Sequence, residues 1–222
     1  MSYISEHCKF APITDELLSH LNDFYCHHET DISDFFKFKA VRASEELMSK
    51  SYCLFDDEKK EMVAAFCVLH TSLPTEHLPN YARRNINKKV KYEKQRKHYP
   101  ATLIGQFAVF DAYSDKHLGD EFLSFVILWI ISEAQQMGNR FVIVDAINND
   151  KVIRFYERNG FKVLFRTKDE ELIATGKSIG DPLPTRMMFA DLINYLSFPP
   201  LMSGLNICFS IFLMSSSLII VL

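Results

Sequence analysis

The sequence has few cysteines and no pattern in them. Its five (Cys8, Cys26, Cys53, Cys67, Cys208) are an odd number with no C-x-x-C spacing. That sets aside a disulfide framework, gives no zinc-ligand signature, and fits a reducing cytosol. Charge of one sign is also missing. The formal net charge is −3, so no global field draws the chain to nucleic acid or to an anionic membrane, and any such preference must come from a local patch. The N-terminus, MSYISEHCKF, has no basic stretch leading into an apolar one, so no signal peptide is expected there. No internal repeat is visible. What is present fits one globular domain with a sizeable core: 222 residues, 48% hydrophobic and 24% charged.

Periodicity divides the chain into elements. Residues 14–28 place Leu17, Leu18, Leu21 and Phe24 at helical spacing after a Thr or Asp cap, and 33–49 predict a second helix with Phe35, Phe36, Phe38 and Val41 on its apolar side. SYCLFDD and KEMVAAFCVLHTSL predict two antiparallel strands joined by the charged turn Asp56–Lys60. LIGQFAVF (103–110) predicts a strand, 120–136 a helix, and RFVIVDAI (140–147) a strand covered on both faces. NNDKVIRFYERNGF predicts a short helix closed by Gly160, and FKVLF and TRMMFADL (185–192) two more strands. The expected fold class is therefore α/β around a mixed sheet.

The helix at 120–136 is the best defined, with Phe122, Phe125, Val126, Trp129 and Ile130 on one stripe. A polar turn, YSDKHLGDEF, leads into it. Unpaired amides and a positive dipole end make such a helix start a ready anion site. Yet this turn has one glycine where phosphate-binding turns usually have two or three.

The stretches YPATLIGQFAVFDAYSDKHLGDEFL and VDAINNDKVIRFYERNGF resemble the GNAT superfamily of N-acetyltransferases, most closely the bacterial toxin-like branch that acetylates aminoacyl-tRNA. The resemblance covers about residues 3–193, is weak in the first sixty and specific in 99–165. It implies a GNAT-like mixed, mainly antiparallel central sheet flanked by helices, over a domain at 1–193, and acetyl-CoA as co-substrate. By position it assigns Phe107, Ala108 and Val109 to the strand that pairs with the pantetheine arm. Ser114, Asp115, Lys116, His117, Leu118, Gly119 and Asp120 match the diphosphate loop, and Asn149 and Tyr156 the family's N-x-x-A-x-x-F-Y. In many relatives that tyrosine protonates the leaving thiolate. The branch would also bring an antitoxin partner, and a homodimer is among the assemblies it allows.

Three departures stand out. His117 replaces the first loop glycine, Ser114 replaces the usual Gln or Arg, and Asp120 puts a carboxylate where a diphosphate would compete for the same amides. No strong general base is evident; Gln106 stands on the cofactor strand, and Asp145 is the nearest carboxylate, with Arg140 or Arg154 as alternative partners for it. An α-amine, with a pKa of about 7.7–8, would need little help from a base.

Residues 81–98 hold eight Lys or Arg against one Glu, a patch that would suit RNA, with Tyr81 and Tyr92 to stack on bases. Solvated surface is the competing reading. From Leu192 onward no side chain is charged, and 194–222 form an apolar tail, read either as a membrane anchor or as a non-native extension. The expectation is a cytoplasmic acyltransferase with no metal. Its rivals are a non-catalytic GNAT-like module that binds RNA or protein, and an acetyltransferase for small amines or protein N-termini.

Overall fold

The computed structural model describes residues 3–27, 29–75, 78–87, 90 and 97–196. In chain order the elements are α1 (Tyr3–His7), β1 (Cys8–Pro12), α2 (Asp15–His20), α3 (Thr30–Phe38), α4 (Ala40–Glu45), β2 (Lys50–Asp56), β3 (Glu61–Pro74), α5 (Asn80–Asn87) and β4 (His98–Val109). A 3-10 turn at Asp111–Lys116 leads to α6 (Gly119–Met137), β5 (Phe141–Ile147), α7 (Asp150–Arg158), β6 (Lys162–Val163), α8 (Lys168–Ala174) and β7 (Thr185–Asp191). The strands form one seven-stranded sheet in the order β1-β2-β3-β4-β5-β7-β6. Only β4 and β5 run parallel within it; the remaining pairings are antiparallel. The expected class, a mixed and mainly antiparallel sheet flanked by helices, is what the chain adopts.

Alternation along the strands sends side chains to two faces. One face carries α6, whose Phe122, Leu123 and Val126 are fully buried against Phe66, Ala64 and Val144. Burying each large apolar side chain stabilises the fold by about 1.5–3 kcal/mol, so truncating Phe122 to Ala would cost about 3–5 kcal/mol. On the opposite face, α2, α3 and α4 cover one half of the sheet with Phe36 and Ala40. The other half is covered by α5, through Ala82 and Ile86. The four cysteines among the described residues are free thiols, and burial pushes Cys8 and Cys53 up to about 12, which keeps them inert.

Several boundaries differ from expectation. The helix predicted over 14–28 stops at His20, although Thr14 does cap it by accepting from Leu17 N at 3.1 Å. Beyond it, Asn22 N donates instead to Lys60 O at 2.6 Å, a tertiary bond that ends the helical path. The helix predicted over 33–49 is two, α3 and α4, divided at Lys39. The strand predicted over FKVLF is paired only at Lys162 and Val163. Four elements went unpredicted: α1, β1, α5 and α8. The last had a readable signal, a capping box in which Thr167 and Glu170 exchange hydrogen bonds. Among the described residues no helix is long and apolar enough to cross a membrane; the tail from 197 onward, with Cys208, lies outside them.

Candidate active site

The site begins with a defect in the sheet. Cys67 pairs with Gln106 and Val68 with Ile104, so Gly105 is an extra residue on β4, a bulge opposite β3. Bulges bend a strand and increase its twist. Here the consequence lies on the other side of β4: its parallel pairing with β5 runs from Ala101↔Phe141 to Ile104↔Val144 and then stops. Phe107, Ala108 and Val109 remain paired with Phe66, Ala65 and Ala64 of β3, and among the described residues have no strand on their β5 side. An antiparallel strand directs its backbone groups alternately to its two neighbours, so half of these N–H and C=O groups point into a wedge between β4 and β5. Gly105 is exposed in mid-strand because the wedge opens there.

The turn after β4 supplies a second feature. His117 takes the left-handed conformation, φ 53° and ψ 33°, at the position where the resemblance has a glycine. That costs a non-glycine residue about 1 kcal/mol; the imidazole itself is exposed. Leu118 O accepts from Phe122 N at 2.8 Å, so Leu118 stands at the head of α6. A buried leucine offers no side-chain acceptor, and the Gly119 and Asp120 amides have no intrahelical carbonyl to meet. Gly119 packs closely under α7: a β-carbon there would lie 3.3 Å from Cε2 of Phe155, so the ring would have to shift by a few tenths of an ångström to admit one. Ser114, Asp115 and Lys116 are exposed on the 3-10 turn, and Ser114 Oγ donates to Asp111 O at 3.0 Å.

A pair of lysines flanks this turn. The Lys116 ammonium lies 4.8 Å from the centroid of the Tyr3 ring, and that of Lys59 lies 5.0 Å from it. Lys59 also donates to the Tyr3 hydroxyl at 2.8 Å. Only the fold brings Lys59 and Tyr3 here.

Asp120 does not block the amides. Its carboxylate is turned toward the end of α7, where Arg158 Nε and Nη2 each donate at 2.8 Å and Asn159 Nδ2 donates at 2.6 Å. The Arg158 hydrogen bond is the main reason its pKa lies below the ordinary carboxylate value.

Tyr156 is buried on α7, with its ring against Phe155 and Phe161. Desolvation pushes its phenol up to about 12, so it stays protonated at any ordinary pH. The hydroxyl has no hydrogen-bond partner among the described residues. The side chains of Phe107, Phe122 and Phe155 join the strand, the helix start and α7, with Phe107 4.8 Å from Phe122 and 6.1 Å from Phe155. Asn149 caps α7, its Oδ1 accepting from Lys151 N at 2.8 Å. That oxygen is occupied, which leaves the amide N–H groups for any ligand.

Asp145 stands one residue past the last β4–β5 pair, at the mouth of the wedge, and is exposed. It does not pair with Arg140, which binds Asp191 at 2.8 Å. Desolvation and then the Glu171 carboxylate raise its pKa.

No family model and no curated protein matches the chain by sequence. Solved structures do match. AtaT complexed with acetyl-methionyl-tRNAfMet superposes with a TM-score of 0.62 at 16% identity, over 85% of this chain and 97% of that one. A tyrosine-to-phenylalanine variant of KacT gives 0.64 at 16% identity, over 85% and 97%. AtaTR bound with acetyl-CoA gives 0.61 at 16% identity, over 85% and 96%. The chain shares the fold of these structures, a GNAT-like one. The residues that sequence reading singled out lie on the end of β4, the turn before α6 and α7, three elements joined through the rings of Phe107, Phe122 and Phe155. Sequence reading missed Phe155, Arg158, Lys59 and Tyr3, which are distant in sequence or unremarkable in type.

The basic segment fares differently. Residues 88–89 and 91–96, with Tyr92, lie outside the described residues. Tyr81 is engaged within the protein: its hydroxyl donates to Glu170 at 2.7 Å, and the Arg166 guanidinium lies 3.9 Å from its ring centroid. One face of that ring is therefore closed to a base. The helix α5 packs beside Tyr99 near the start of β4, whose hydroxyl donates to Asn87 at 2.8 Å. From there to the bulge at Gly105 is about 20 Å along the strand.

Proposed function

We propose that the chain is an acetyl-CoA-dependent N-acetyltransferase whose acceptor is a primary amine, the α-amine of an aminoacyl-tRNA. The observation that carries this reading is the wedge: β4 parts from β5 after Ile104 and Val144, and α6 starts after Leu118, whose side chain has no polar atom to cap it. The residues fit the co-substrate. A pantetheine arm carries amides that the backbone of Phe107–Val109 can pair with, as a strand would. A diphosphate fits the amides of Gly119 and Asp120, with Lys116 and Lys59 nearby. The AtaT complexes with acetyl-methionyl-tRNA and with acetyl-CoA support the same reading.

In the reaction the amine nitrogen attacks the thioester carbonyl, a C–N bond forms and the C–S bond breaks. Tyr156 provides the proton, or a hydrogen bond, for the departing sulfur; its pKa of about 12 means that the donor is always loaded. The ammonium proton released by the new amide goes to Asp145 or to solvent. Asp145 is a better base than an ordinary aspartate because its pKa is raised, and an α-amine is already partly neutral near pH 7. Placement of the amine against the thioester supplies most of the acceleration. An antitoxin partner belongs to the same proposal, supported by the complex of an AtaT variant with the C-terminus of the antitoxin AtaR.

Calorimetric titration with acetyl-CoA tests the core of the proposal, and binding with a thermal upshift is expected. No heat and no shift at millimolar ligand would defeat it. Transfer of label from acetyl-CoA to bulk aminoacyl-tRNA, and not to a panel of small amines or peptide N-termini, tests the acceptor.

A further inference from the structure

Asp120 occupies the first turn of α6, where an uncompensated carboxylate would repel a diphosphate and compete for its amides. The structure resolves that conflict with α7. Phe155, Arg158 and the cap residue Asn159 are spaced i, i+3, i+4 at the end of α7 and so share one face. That face grips the two residues at the start of α6: Phe155 lies against Gly119, and Arg158 and Asn159 bind the Asp120 carboxylate. Asn159 O then accepts from the Tyr195 hydroxyl at 2.7 Å, which braces the same helix end from behind. Tyr156 is the next residue after Phe155, so its direction follows from how this face is seated.

We propose that Asp120 and Arg158 are positioning residues for acetyl transfer: their ion pair cancels the carboxylate charge beside the anion-binding amides and fixes α7 so that Tyr156 is held at the wedge. The proposal rests on the acetyltransferase reading above. The two side chains are about half exposed, 58% for Arg158 and 50% for Asp120, so the pair contributes little to global stability. Its variants should fold, and their effects belong to the site.

The two roles predict effects of opposite sign. With Arg158→Gln, Asp120 keeps only the Asn159 hydrogen bond and its charge is no longer cancelled, so acetyl-CoA should bind roughly tenfold more weakly, less so as salt is raised. With Asp120→Asn the repulsion is gone and Arg158 is freed, so acetyl-CoA should bind as tightly as to wild type or tighter. Turnover with bulk aminoacyl-tRNA should nevertheless fall by about fivefold or more, with the loss in kcat rather than KM. In the double variant, binding should return to within about threefold of wild type while turnover stays low. Arg158→Lys, which keeps the charge but not the two-pronged bond, should restore binding and not turnover.

The experiment is calorimetry with acetyl-CoA and steady-state kinetics on the full chain and these four variants. A Kd for Arg158→Gln equal to wild type, or a double variant as weak as Arg158→Gln, overturns the charge-cancelling role. Wild-type turnover in Asp120→Asn overturns the positioning role. A wild-type chain that binds no acetyl-CoA overturns instead the reading on which both depend.

Discussion

The hydroxyl of Tyr195 lies 2.5 Å from where a β-carbon would stand on Gly160. Gly160 follows the cap residue Asn159 with φ 88°, a conformation that L side chains rarely adopt. It thus ends α7 by conformation and makes room for the residue that braces that end. Gly160→Ala should destabilise the chain by about 1–3 kcal/mol, from the left-handed backbone and the clash together. Urea unfolding measures it, and adding Tyr195→Phe should recover part of the loss by removing the obstructing oxygen.

Tyr156→Phe keeps the buried ring and removes only the hydroxyl. Turnover should fall by about 10²-fold or more while the Kd for acetyl-CoA changes less than threefold, the pattern of a group that acts in the transition state. Single-turnover kinetics with a calorimetric Kd on the same sample would check it. Unchanged turnover removes Tyr156 as the acid.

Alkaline pH should unfold the chain early. Burial pushes both Tyr156 and Tyr195 up to about 12, against about 10 for an ordinary phenol. Below pH 10 both states hold these protons. Between about pH 10 and 12 the unfolded chain releases them and the folded chain does not, so stability falls as pH rises through that window. Urea midpoints at pH 9, 10 and 11 should show the decline, and the Tyr156→Phe/Tyr195→Phe double variant should show a shallower one.

His117→Gly relieves a left-handed residue in the turn. About 1 kcal/mol of strain is removed, minus the entropy that glycine loses on folding, so the melting temperature should rise by up to about 2–4 °C. Acetyl-CoA affinity should be unchanged or better, because the imidazole is exposed. A clear loss of affinity would make His117 itself a ligand contact.

The buried pair between α8 and β7 is structural. Glu171 accepts from Arg186 Nε at 2.5 Å and from Met187 N at 2.6 Å, at 3% exposure. Glu171→Ala strands the guanidinium and should cost about 3–5 kcal/mol; Glu171→Leu with Arg186→Met should recover part of it. Denaturant titration of the two variants separates these outcomes.

Where an element is set by its own residues, it was legible. The stripe from Phe122 to Ile130 predicts α6 to within a residue at each end. The continuous apolar run predicts β5, and Gly160 marks the end of α7. The helix expected over 14–28 failed for a nonlocal reason: Leu21 and Phe24 keep helical spacing, but the Asn22 amide is taken by Lys60. Missing α1 and β1 has the same cause, since a five-residue strand such as β1 exists only as the partner of β2.

The site divides along the same line. By itself the sequence determined that a strand, a polar turn and a helix start follow one another at 103–122 and that a tyrosine follows on a later helix, because hydrophobic period and turn chemistry act over a few residues. Only the tertiary structure decided that β4 parts from β5 and that Asp120 faces Arg158, 38 residues away, instead of the amides beside it. Those facts depend on which distant groups share a small volume, and an electrostatic energy that varies inversely with distance cannot be read before the fold has set that distance.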